Sequence, residues 1–231
     1  MTGVLTDVSG RPRPAPAPLA EAALLVVDVQ RDFADPDRLP WLDGEARARV
    51  AAAVERTAGL VRDARAAGVR VVWAALEQEP DAPWGSSLWL RDLLHESREH
   101  RLAREPCLVG TAGADWFGVA PGPEETVVAK RRYSAFHGTS LADGLRASGV
   151  TWLTVCGLTA DCCVDATVRD GFQLGFRTVV ASDATASYQR ELAVHTLTVL
   201  ARHAAVVATS DAIATAWHGR RDADRRVPGA G

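Results

Sequence analysis

Short apolar runs of strand length alternate along this chain with stretches whose apolar positions recur every three or four residues. The first run, Ala22–Val27, is unbroken, as suits a strand buried on both faces of a sheet. From about Glu45 to Ala67 the period changes. Ala46, Val50, Ala53, Val54, Thr57, Val61 and Ala64 fall on one helical face, and Gly68 supplies a stop. Further strands are predicted at Val69–Leu76, Thr126–Lys130, Thr151–Cys156, Arg177–Ser182 and Ala205–Thr209. Helices are predicted at Ser140–Ser148, from about Cys162 to Leu174, at Arg190–His203 and at Ala212–Trp217. Strands that alternate with helices imply right-handed crossovers and a parallel sheet covered on both faces. The expected fold is therefore α/β: a single-domain, three-layer αβα sandwich around a six-stranded, mainly parallel sheet.

Three segments fall outside this rhythm. Residues 1–20 are rich in proline and alanine and read as a flexible lead-in to a domain over 21–218; residues 219–231 read as a polar, frayed tail. Residues 77–122 carry Pro80, Pro83, Pro106 and Pro121, with one short helix predicted near Ser87–Glu96. Trp84, Trp89, Trp116 and Phe117 argue against disorder there. A segment this long is a pocket wall or lid on one reading and a subunit contact on the other.

Composition narrows the classes. A formal charge of -3 over 231 residues offers nothing to attract nucleic acid or an anionic membrane. The only like-charge run worth noting, Lys130-Arg131-Arg132, is either a solvated loop or an anchor for a substrate carboxylate. No apolar stretch is long enough to span a bilayer, and the N-terminal residues lack the order of a signal peptide. Four cysteines without a disulfide-framework spacing suit a reducing compartment, so a cytoplasmic location is expected.

Candidate chemistry collects just past three predicted strand ends, the edge where open parallel sheets bind ligands. Asp28 follows the first strand and Lys130 closes the third. Cys163 follows the fourth, at the start of a helix, where unpaired N–H groups favour a thiolate. A free cysteine is otherwise a small buried apolar residue, an aspartate after a strand caps a loop, and a lysine there is solvated. Cys107, Cys156 and Cys162 are read as packing.

The motifs Asp-x-Gln-x-Asp-Phe at Asp28–Phe33, Lys-x-x-Tyr-Ser-x-Phe at Lys130–Phe136 and Gly-x-x-x-Asp-x-Cys-Val at Gly157–Val164 occur in this order. By them the chain resembles the isochorismatase-like cysteine hydrolase superfamily over roughly residues 20 to 210. Leu108–Pro121 and Thr167–Phe172 look most like its ureidoacrylate and N-carbamoyl branch. The resemblance implies Cys163 as nucleophile, Asp28 as proton acceptor and donor, and Lys130 holding the pair together. It also implies a cis peptide at Leu158–Thr159 and an oxyanion site at the N–H groups of Thr159 and Cys163. Relatives often have Ala-Thr-Asp where this chain has Thr159-Ala160-Asp161, so a turn hydroxyl has moved or been lost.

Candidate substrate-binding residues are Gln30, Asp32, Phe33, Trp116, Tyr133 and Phe136. Asp32 either binds a substrate amine or pairs with an arginine, and the aromatic residues either sandwich a planar substrate or belong to the core. Arg31, Arg131 or Arg132 could meet a substrate carboxylate. No metal and no cofactor are expected. Nicotinamidases of the superfamily place Asp-x-His after the second strand, where this chain has Glu77-Gln78-Glu79. Relatives assemble as dimers or tetramers, so a homodimer or homotetramer is expected. The leading reading is a metal-independent amidohydrolase acting on a small-molecule ureide, carbamoyl compound or primary amide. The rivals are a vinyl-ether hydrolase, which needs no thiol, and a binding or scaffold protein without catalysis.

Overall fold

A computed structural model describes residues 4–15 and 18–226. Among the described residues eight strands run in chain order: β1 (Val4–Thr6), β2 (Pro12–Pro14), β3 (Ala22–Val27), β4 (Arg70–Leu76), β5 (Thr126–Lys130), β6 (Trp152–Leu158), β7 (Arg177–Ala186) and β8 (Val206–Ala208). The helices are α1 (Arg31–Ala34), α2 (Gly44–Ala67), α3 (Gly85–Leu90), α4 (Arg98–Ala103), α5 (Leu141–Ala147), α6 (Asp165–Gln173), α7 (Arg190–His203) and α8 (Ser210–Arg226). Strands β3 to β8 form one parallel sheet in the order β5-β4-β3-β6-β7-β8. The order reverses between β3 and β6, and that reversal is the ligand-binding switch point of such sheets.

Strand alternation divides the core in two. Leu24, Val26, Trp73, Cys156 and Val179 pack with Val50 and Val61 of α2 and with Ile213 and Trp217 of α8. Ala23, Leu25, Val27, Val155 and Val180 face Leu141 and Leu145 of α5, Val168 of α6 and Leu200 of α7. Because both faces are covered, all six residues of β3 are buried, and its sequence reads as an unbroken apolar run. The Asp43 side chain caps α2 by accepting the Ala46 N–H at 2.7 Å, and Gly68 at φ +81° ends it. Close approach fixes Gly157 at φ +113°: a Cβ there would lie 2.0 Å from the Val27 carbonyl oxygen of β3.

Several boundaries differ from the sequence expectation, each for a local reason. Residues 4–6 and 12–14, expected to be a flexible lead-in, pair antiparallel, and Leu5 is buried in the α2/α8 layer. Strand β7 runs to Ala186 rather than ending at Ser182, with a register shift against β6 between Val155 and Gly157. Just past Ser182, the Asp183 carboxylate accepts the Ser210 N–H at 2.7 Å and the Ser210 hydroxyl at 2.8 Å. It thereby caps α8 from inside the strand. That helix continues through residues expected to fray, since His218 reaches Asp63 at 3.3 Å and Arg221 donates to the Ala66 carbonyl of α2. The helix expected near Ser87–Glu96 is α3, which ends at Leu90, and a further helix, α4, follows beyond the expected range. Asp92, with φ +56°, turns the chain after α3, and Ser97 caps α4 at the His100 N–H.

Two stability consequences follow. Leu5→Ala should lower the unfolding free energy by about 2–5 kcal/mol in urea titration, the usual cost of truncating a buried leucine; a change near zero would mean that the hairpin does not dock. Gly157→Ala should cost about 3 kcal/mol or more, because the added methyl meets backbone that cannot move aside and the residue keeps a positive φ.

Candidate active site

Three strand ends deliver three side chains to one point. Asp28 takes φ +51°, in the left-handed region that aspartate enters more readily than bulkier residues, while its N–H donates to the Ala74 carbonyl at 2.9 Å. Lys130, the last residue of β5, is fully buried, and its Nζ lies 2.7 Å from Asp28 Oδ2. The same nitrogen donates to the Arg132 carbonyl at 3.0 Å and lies 3.4 Å from Cys163 Sγ. Cys163 sits in a π-helical turn, Ala160–Val164, that joins β6 to α6. The Leu158–Thr159 peptide before that turn is cis.

Burial raises the Asp28 pKa above the ordinary 3.8, opposed first by the Lys130 ammonium and then by the Cys163 thiol. Burial alone would lower the Lys130 pKa, but Asp28 and Cys163 together outweigh it and raise it above the ordinary 10.5. The Cys162 side chain, burial and the Asp28 carboxylate all hold the Cys163 thiol well above 9.0, with Lys130 pulling the other way. The surroundings thus bias Lys130 toward its charged form and Cys163 toward its protonated form. A resting thiolate, expected from a helix N-terminus, is not what this environment favours.

Cys163 opens on a cavity of about 340 Å³ whose wall includes Leu158, Thr159, Phe33, Trp84, Tyr133 and Tyr188. The Trp84 and Tyr133 rings meet edge-on at 4.8 Å. Residues 77–122 contribute Gln78, Ser87, Arg91, Glu105 and Pro106 besides Trp84, which makes this segment a pocket wall. Arg91 and Glu105 pair across it at 3.2 Å.

Of the expected substrate contacts, Phe33 and Tyr133 line the cavity and four others do not. Gln30 is fully buried and its amide is occupied. Nε2 donates to the carbonyls of Leu76 and Ala114, both at 2.9 Å, and Oε1 accepts the Leu76 N–H at 2.8 Å. Asp32 pairs with Arg38 at 2.5 Å and accepts the Cys107 N–H at 2.7 Å, so it shapes its loop rather than binding an amine. Trp116 packs edge-on to Trp73 in the α2/α8 core. Phe136 stacks on Phe176 in the opposite core layer.

Two of the proposed carboxylate anchors are engaged elsewhere, and the third stands over a ring of the cavity wall. Arg31 pairs with Asp35, Arg131 with Glu79, and Arg132 lies over Trp84. Cys162, read as packing, lines the cavity beside Cys163, because the wide turn brings it round to the same side. Tyr188, which the sequence reading missed, follows the end of β7 on the same sheet edge, so the strand-end rule that found Asp28 would have found it. Arg91 and Glu105 carried no such signal. Among the described residues, no cluster of three His, Cys, Asp or Glu side chains could hold a metal ion, and no helix is long and apolar enough to cross a membrane.

The isochorismatase domain model matches residues 22–212. The ureidoacrylate amidohydrolase RutB of Azorhizobium caulinodans is 33% identical over 183 residues, covering 76% of this chain and 80% of that protein. The crystal structure of an isochorismatase family protein from Desulfovibrio vulgaris superposes with a TM-score of 0.70 at 30% identity, covering 84% of this chain and 96% of that one. That of a cysteine hydrolase from Pseudomonas syringae pv. phaseolicola gives 0.77 at 23%, covering 90% and 99%, and shares the fold. The chain belongs to the isochorismatase family.

Proposed function

We propose that this protein is a metal-independent cysteine amidohydrolase that releases ammonia or an amine from a small ureide, N-carbamoyl compound or primary amide. The observation that carries this reading is the buried Lys130 Nζ, 2.7 Å from Asp28 Oδ2 and 3.4 Å from Cys163 Sγ. In the proposed reaction Asp28 takes the thiol proton as Sγ forms its bond to the substrate carbonyl carbon. The N–H groups of Thr159 and Cys163 hold the oxyanion. The carbon–nitrogen bond then breaks and the proton on Asp28 passes to the leaving nitrogen. Water, deprotonated by the same carboxylate, releases the acyl or carbamoyl group from sulfur. The name of the ureidoacrylate amidohydrolase relatives supports the ureide class, and the aromatic cavity wall suits a flat, conjugated substrate.

Ammonia release from a panel of ureides, N-carbamoyl amino acids and primary amides should fall by about 10³-fold or more in Cys163→Ala and persist after EDTA treatment of the unaltered protein. Undiminished ammonia release by Cys163→Ala would remove Cys163 as the nucleophile; no release from the panel, with a vinyl ether cleaved equally by both proteins, would favour acid-catalysed vinyl-ether cleavage, which needs no thiol.

The pH profile gives a second test. Asp28 must be ionised to accept the proton, and burial raises its pKa, so kcat/KM should fall with acid through a midpoint above 3.8. Lys130→Gln removes the cation that opposes burial. The acid limb should therefore move to higher pH while kcat drops. An unmoved limb would detach Asp28 from the profile.

A further inference from the structure

A second cavity, of about 920 Å³, adjoins the catalytic one. The two share a wall made by Phe33, Arg91, Glu105, Pro106 and Tyr188. Its outer lining includes Trp41, which is 64% exposed although its ring stands edge-on to Tyr188 at 5.0 Å and 85°. Single exposed aromatic residues are common on protein surfaces and need no explanation. This one is different in position, since it faces a cavity continuous in its lining with the catalytic one and touches a ring common to both. Ligand pockets hold about 300–1,000 Å³, so the inner cavity suits a small reacting head and the outer one has room for a ring-sized group.

We propose that the outer cavity is a second substrate subsite that takes an aryl tail. This rests on the amidohydrolase reading and extends it: the substrate is a carbamoyl or primary-amide compound whose scissile carbonyl meets Cys163 and whose aromatic ring reaches Trp41. Tyr188 is the hinge of the argument, because its ring walls the inner cavity and supports Trp41 in the outer one. Its hydroxyl donates to the Phe33 carbonyl at 3.2 Å, which fixes the ring on the shared wall. The Arg91–Glu105 pair, 3.2 Å apart and partly exposed, belongs to the wall that both cavities share, where such a pair is held weakly enough to rearrange around a tail.

The test compares matched compounds: N-carbamoylglycine against N-carbamoylphenylalanine, and propionamide against 3-phenylpropionamide. The aryl member of a turned-over pair should show the higher kcat/KM. Trp41→Ala should cut the aryl-to-short ratio about tenfold, the loss falling on KM, and Trp41→Phe should restore most of it. A ratio at or below one, or a ratio unmoved by Trp41→Ala, would overturn the subsite. Where neither pair is hydrolysed, calorimetry on Cys163→Ala separates the two claims. Binding of N-carbamoylphenylalanine that Trp41→Ala abolishes would keep the subsite while the reaction reading falls; no aryl-selective binding would overturn the subsite too.

Discussion

Everything at the sheet edge is arranged around one buried ion pair. Asp28 and Lys130 are both fully excluded from water, with 2.7 Å between carboxylate and ammonium. Taking each charge out of water costs several kcal/mol, and an apolar pair of the same volume would serve stability as well. A constraint of that cost is explained by what stands next to it, the Cys163 thiol. The fold meets the constraint with strand ends, the stiffest points from which a short and a long side chain can converge. Asp28 begins where β3 stops and Lys130 is the final residue of β5, with the end of β4 between them. The third member comes from across the switch point, where Gly157 lets β6 lie against the Val27 backbone before the turn to Cys163.

The residues of the first motif that looked like substrate contacts hold this arrangement together. Gln30 bonds the end of β4 to the segment around Ala114, while Asp32 ties Cys107 and Arg38 to the same loop. Gly113 completes that joint, since any Cβ there would overlap the Asp32 carboxylate. Two polar side chains thus pin the long irregular segment to the sheet. Through that segment they set where Trp84, Arg91 and Glu105 stand on the cavity wall.

This division explains what the sequence could and could not reveal. Unbroken apolar runs located β3 to β6, and the topology of a parallel sheet then put the residues after β3, β5 and β6 on one edge. Asp28, Lys130 and Cys163 were therefore legible as a group. Side-chain direction inside the loops was not. Trp116 and Phe136 differ from Trp84 and Tyr133 only in which way an irregular backbone turns them, and no period records that. The true end of β7 was hidden for a related reason: no local pattern records that Asp183 caps a distant helix end at Ser210. The N-terminal hairpin hid behind its prolines, because the burial of Leu5 depends on an apolar face supplied by α8, two hundred residues later.

The bias toward a protonated thiol gives the ion pair its purpose. A helix N-terminus alone would stabilise a thiolate by partial charges of roughly half an elementary unit. In this site the Cys162 side chain, burial and then the Asp28 carboxylate work against that and bias the thiol toward its protonated form. With Lys130 charged, moving the proton from Cys163 to Asp28 exchanges a thiol and a carboxylate for a thiolate and a carboxylic acid. The net charge of the buried group does not change. In a medium where isolated charges are costly, a transfer that creates no new charge is the inexpensive one. Lys130 is close enough to serve either anion, at 2.7 Å from one and 3.4 Å from the other. On the proposed mechanism the nucleophile would thus be generated within the same ion pair that the fold encloses, as a carbonyl arrives to receive it.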